Sequence, residues 1–162
     1  MNTVKIYRLT HLSPTLFGRL KTAQMEATQV WNYCCELHKA ARTTHGTWPG
    51  QNELQQATKG QFALHSQTVQ MVVHAFLTTI ETTQMLRATH SKMRMKYSLM
   101  TKHFYPVRWP AQAVSRECGR VVLPMWRGHA SIVLHLPEHS RVCTLVWNNG
   151  FAGQGGVNDH KK

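Results

Sequence analysis

From Phe104 onward the apolar pattern of this chain changes from helical to extended. One extended stretch stands alone in front of the helices. In residues 3–10 (TVKIYRLT), Val4, Ile6 and Arg8 fall on one side and Lys5, Tyr7 and Leu9 on the other. A lone strand leaves its backbone donors and acceptors unpaired and is not stable by itself. It therefore has to join the later strands, with the helices inserted between them as a separate lobe. The expected class is α+β: a helical lobe of two long helices inserted between an N-terminal strand and a small antiparallel β-barrel or sheet. The expected organisation is a small barrel from residues 1–12 with 104–151, a helical lobe and basic connector over 13–103, and a flexible, Gly-rich tail at 152–162.

Local signals place the elements. Ser13 is a good N-cap and Pro14 suits the first helical position. From there Leu16, Leu20, Ala23, Ala27, Val30, Cys34, Leu37 and Ala41 make one apolar stripe, which predicts a helix over 14–43. Residues 45–50 (HGTWPG) break it. A short helix over 52–59 is expected, with Asn52 as cap, Leu54 and Ala57 as its apolar face, and Gly60 as its end. A second long helix is expected over 66–87, burying Val69, Val72, Val73, Phe76, Leu77 and Ile80. It is rich in Thr, which lowers its intrinsic propensity, so tertiary packing has to help hold it. The stretches AQAVSREC, GRVVLPMW, ASIVLHLP and RVCTLVWNN then predict four strands joined by tight connections. Pro124 places the second of these at an edge or a bulge.

Charge points to the partner. The net charge is +12, with 19 Lys and Arg against 7 Asp and Glu. Such a balance suits a polyanion, while the 42% hydrophobic content separates the chain from disordered basic tails. No acidic residue occurs between Glu81 and Glu117, yet Arg87, Lys92, Arg94, Lys96, Lys102 and Arg108 lie in that gap. Tyr97, Phe104, Tyr105 and Trp109 are interleaved among them. Cations neutralise phosphates and aromatic faces stack on exposed bases, so the segment reads as a nucleic-acid contact surface. It also reads as a solvated basic linker whose aromatics enter the core of the next domain.

Several other chemistries find no support. The one Asp is Asp159, in the expected tail, and the six Glu are scattered over separate elements. A two-metal nuclease site needs carboxylates that converge, and a Ser/His/Asp triad would have to recruit Asp159. There is no phosphate-binding loop ending in GKS or GKT, no His-x-His pair and no CxxC pair of zinc-ribbon spacing. Cys34 and His38 are one helical turn apart; a reduced buried thiol and a surface histidine are expected there rather than a metal pair. No metal and no cofactor are expected. No apolar run approaches the roughly 20 residues of a membrane span, and the N-terminus lacks an apolar core of signal-peptide length. The expected location is the cytoplasm.

Several stretches together resemble the N-terminal half of the OrfB/TnpB proteins of bacterial and archaeal insertion sequences, compact RNA-guided nucleases. They are VKIYRLTHLSPT from Val4, the VWNY core at residues 30–33 with Asn32, LHSQTVQ from Leu64, FYPVRWPAQAVSRECGRVVLPMWRG from Phe104 and SIVLHLP from Ser131. The resemblance covers roughly residues 3–151. It implies a wedge barrel formed by the first and later strands and a helical recognition lobe between them. It further implies that residues 87–109 and the loops around Arg116, Arg120 and Arg127 face guide RNA, the guide–target duplex or flanking DNA. In that family a RuvC-like nuclease domain comes next, with acidic catalytic residues and usually a zinc ribbon; neither is matched here. Trp126 and His129 also stand where smaller or more basic residues are expected.

The expected function is therefore a transposon-derived binding protein without a nuclease domain, taking structured RNA first and duplex DNA second. Two alternatives are the non-catalytic half of a split nuclease completed by a separate RuvC-like polypeptide, and a degenerate remnant without function.

Overall fold

The computed structural model describes residues 6–9, 12–90, 106–117, 120–126, 131–135, 143–147 and 156–157. Helix α1 runs over Pro14–Thr43. Its first turn is closed as expected: the Leu16 N–H donates to the Ser13 hydroxyl at 3.2 Å, with Pro14 opening the helix. Its far end is a Schellman turn, in which Gly46 N–H donates to Ala41 O at 2.9 Å and His45 N–H to Arg42 O at 3.3 Å. The left-handed residue of that turn is His45, at φ 52°, and not the glycine beside it.

Helix α2 spans Gln51–Thr58 and α3 spans Ser66–Thr89, each within two residues of its expected bounds. Gly50, not Asn52, occupies the N-cap of α2. Gly60 takes the left-handed conformation that separates the two helices. α1 and α3 pack through Trp31 and Phe76, whose rings meet edge to face at 5.4 Å. Ala23 and Ala27, both fully buried, leave room for the neighbouring helix. The carboxylate of Glu26 on α1 accepts from the N–H groups of Ala63 and Leu64, which fixes the loop before α3. Thr68, at the start of α3, is fully buried and its hydroxyl has no hydrogen-bond partner among the described residues.

The strands are β1 (Ile6–Leu9), β2 (Ser115–Glu117), β3 (Arg120–Pro124), β4 (Ser131–His135), β5 (Cys143–Trp147) and β6 (Gly156–Val157). Together with the helices they make an α+β chain. The N-terminal strand does join a C-terminal one: β1 pairs with β5, Ile6 opposite Thr144 and Leu9 opposite Trp147. The pairing is parallel and not antiparallel, as the sequence pattern suggests. A parallel pair needs a long crossover, and here everything between Leu9 and Cys143 provides it.

Among the described residues the strands form two sheets, β1-β5-β6 and β2-β3-β4. The expected flexible tail contributes β6, which pairs antiparallel with β5 through Cys143–Val157 and Thr144–Gly156. The stretch 111–118 is only partly strand, because Ala111–Ala113 form a 3-10 turn before β2. β3 is central in its sheet, not an edge. It tolerates Pro124 because β2 reaches only as far as Val122, so at Pro124 one side of the strand has no ladder to lose.

The helices and the β2-β3-β4 sheet share one core. Leu20, Val30, Leu54, Val72, Val73 and Phe76 from the helices are buried in the same cluster as Val121, Leu123, Ile132 and Leu134 from the strands. Leu64 forms a β-bridge with Trp126, and His65 N–H donates to Met125 O at 3.1 Å. The helices thus pack directly on the β2-β3-β4 strands. Sequence period alone does not show this, because an apolar stripe does not name the surface that covers it.

Candidate nucleic-acid interface

Arg108 is the expected contact residue whose surroundings are best defined. It is exposed, between Val107, fully buried, and Trp109, 3% exposed. These two buried neighbours anchor the segment to the core. Arg108 borders a cleft of about 400 Å³ on the middle of α3, lined also by Met71, His74, Ala75, Thr78 and Thr79. Among the described residues no carboxylate lines this cleft. The helix wall is oxygen-rich and neutral. Thr78 donates its hydroxyl to His74 O at 3.0 Å and Thr79 to Ala75 O at 2.9 Å; Thr82 and Thr83 repeat the pattern one turn on, each at 2.8 Å. The guanidinium of Arg108 is therefore the group that can attract an anion into the cleft, with His74 beside it as a second nitrogen-bearing side chain.

Arg87 is also exposed, in the last turn of α3. It lies on the order of 13 Å beyond Thr78 at the rise of an α-helix. Among the described residues neither Arg87 nor Arg108 pairs with a carboxylate. Arg120 is exposed at the start of β3, opposite Glu117 on one side and His135 on the other. Arg116 stands opposite Val121. Lys92, Arg94, Lys96, Tyr97, Lys102, Tyr105 and Arg127 lie outside the described residues.

Trp109 requires a correction. Its indole N–H donates to Pro124 O at 2.8 Å and its ring is in the core. It holds the segment to β3 and offers no face for a base. This matches the linker reading, in which an aromatic of the basic stretch enters the next structural unit. The residues that reading the sequence missed are His74, Thr78 and Thr79. Helical period places them away from the buried face of α3, but nothing in the sequence shows Arg108 returning to them.

On α1 the expected buried, free thiol of Cys34 is present, and the second correction concerns His38 alone. Cys34, Cys35 and His38 are all buried. Burial, with the neighbouring Cys35, pushes the Cys34 thiol up to about 12. Burial also pushes Cys35 up to about 11, with Lys39 opposing and Glu36 adding. His38, a surface residue by its sequence context, sits instead between Trp48, at 4.8 Å between ring centres, and Phe76, at 5.8 Å. Burial and then Arg42 hold its imidazole below the usual histidine range. Protonated thiols and a neutral imidazole in an aromatic wall make these packing groups rather than reactive ones. Among the described residues no three His, Cys, Asp or Glu side chains are grouped to hold a metal ion, and no helix is long and apolar enough to cross a membrane.

No family model, curated protein or solved structure matches the chain.

Proposed function

We propose that this chain is a nucleic-acid-binding protein of OrfB/TnpB-like, transposon-derived type, acting in the cytoplasm without nuclease chemistry of its own. Its preferred ligand is structured RNA, with duplex DNA second. The observation that carries the reading is Arg108, anchored by buried Val107 and Trp109 and bordering a cleft on α3 that no carboxylate lines among the described residues. A net charge of +12 and the run without acids between Glu81 and Glu117 support it. The shortage of carboxylates, one Asp and six Glu, favours a binder over a metal-dependent nuclease.

Counterion release sets the test. Each phosphate neutralised contributes roughly 0.7–0.9 to the slope of log affinity against log salt. Replacing Arg94, Lys96 and Arg108 together with Gln should weaken RNA binding and flatten that slope by about 2 to 3. A slope that stays unchanged rejects this segment as the contact surface.

A further inference from the structure

A second cleft, of about 490 Å³, opens between α2 and the first turns of α3. Its character differs from that of the Arg108 cleft. Four carboxamides line it, from Asn52, Gln55, Gln56 and Gln70, together with Lys59 and the apolar side chain of Val69. Among the described residues Lys59 is its only charged side chain. Three of the carboxamides, on Asn52, Gln56 and Gln70, are exposed and Gln55 is half-buried, so the amides are open to an incoming ligand.

A carboxamide presents one acceptor and a two-proton donor side by side. The matching partner is a base edge with a donor beside an acceptor, and Asn or Gln against adenine is the recurrent pairing. Adenine suits several carboxamides at once because its N6 amino group is flanked by an acceptor on each side, N1 and N7. Two amides can therefore hold it along both edges. Cytosine has such a neighbour on one side of its amino group only, and guanine answers better to arginine. Both adenine edges are free only when the base is unpaired, as in RNA loops and single strands.

The two clefts are neighbours. Gln70 borders this one and His74 borders the Arg108 cleft. They lie four residues apart on α3, about 6 Å along its axis, and both are exposed. We propose that the α2–α3 cleft receives an unpaired adenine base of a single-stranded stretch of nucleic acid whose phosphates reach Arg108. This rests on the nucleic-acid reading above and adds to it a base identity and a second contact site.

The test uses the full chain and fluorescently labelled single-stranded oligoadenylate, oligouridylate and oligocytidylate, with binding followed by anisotropy. The wild-type chain should prefer oligoadenylate by about ten-fold, the discrimination of one good bidentate contact. Gln55→Leu with Gln70→Leu should remove the preference and leave the other two strands bound as before. Gln70→Glu, which keeps the side-chain volume, should weaken oligoadenylate most; it serves if the double variant does not fold. Arg108→Gln should weaken all three strands alike. A wild-type chain without adenine preference, or a preference that survives the Gln variants, overturns the cleft assignment while the Arg108 effect still supports nucleic-acid binding. Equal binding of all strands by wild type and Arg108→Gln overturns both.

Discussion

α1 and α3 are both long helices, yet the core accompanies them for different distances. On α1 the buried residues extend from Leu20 to His38, most of the helix. On α3 they begin at Thr68 and stop at Ile80. Beyond Ile80 every residue to Thr89 is exposed except half-buried Thr83, with Met85 at 74% and Leu86 at 42%. α1 is framework, closed at both ends by its own caps. α3 is fixed by its first half and presents the rest, with one side of its middle forming a wall of the Arg108 cleft. A helix held in this way can offer a rigid surface without a separate structural cost.

The two helices share a buried aromatic contact, and removing it should have the largest effect. Phe76 on α3 is 1% exposed and lies against Trp31 and His38 of α1. Phe76→Ala should cost about 3–5 kcal/mol, the range for a large buried aromatic, in urea unfolding followed by circular dichroism. A loss below about 1 kcal/mol, the size of an ordinary substitution, would mean that α3 is held mainly through something other than α1.

The sequence made part of this legible. Both long helices are readable because their apolar stripes persist for many turns, and Ser13-Pro14 sets the start of α1 to the residue. The extent of burial is less legible. Gln24, Thr28 and His38 are buried beside the stripe, where polarity argues for the surface. Gln24 and Thr28 are joined by a hydrogen bond from the Thr28 hydroxyl to Gln24 O at 3.0 Å; such local pairing depends on backbone geometry. The strands can be located, but their partners cannot. Pairing β1 with β5 in parallel depends on the path of the whole intervening chain. For the site, charge marks the whole run from Arg87 to Arg108 without preferring Arg108 within it, and the same reasoning mistakes Trp109 for a stacking surface, since an aromatic among cations has the same pattern whether its ring faces outward or inward.

Glu26 is a finer probe of how α1 organises the loop and helix that come after it. Its carboxylate satisfies two backbone N–H groups, at Ala63 and Leu64, just before the Leu64–Trp126 bridge and the start of α3. Leu64 is 1% exposed, so its N–H has little access to water as a substitute partner. Glu26→Ala should cost about 1–3 kcal/mol, because it strands those donors. Glu26→Gln keeps a carbonyl acceptor and should cost less than Ala. Equal losses in urea unfolding for the two variants would show that charge, rather than the hydrogen bonds, carries the contact.

The smallest effect is expected at the far end of α3, and its smallness is informative. Met85 and Leu86 are large apolar side chains, which on α1 would be core residues. Replacing both with Gln keeps length and helix propensity close to the original. If the last two turns of α3 stand clear of the core, as their exposure indicates, urea unfolding should shift by no more than about 0.5 kcal/mol. A loss approaching that of Phe76→Ala would mean that these side chains are covered in the folded chain. The core would then accompany α3 as far as it accompanies α1, and the division between a framework helix and a presenting helix would fail. An unchanged midpoint leaves the end of α3, with Arg87 on its last turn, as a surface whose side chains are free to serve recognition instead of folding.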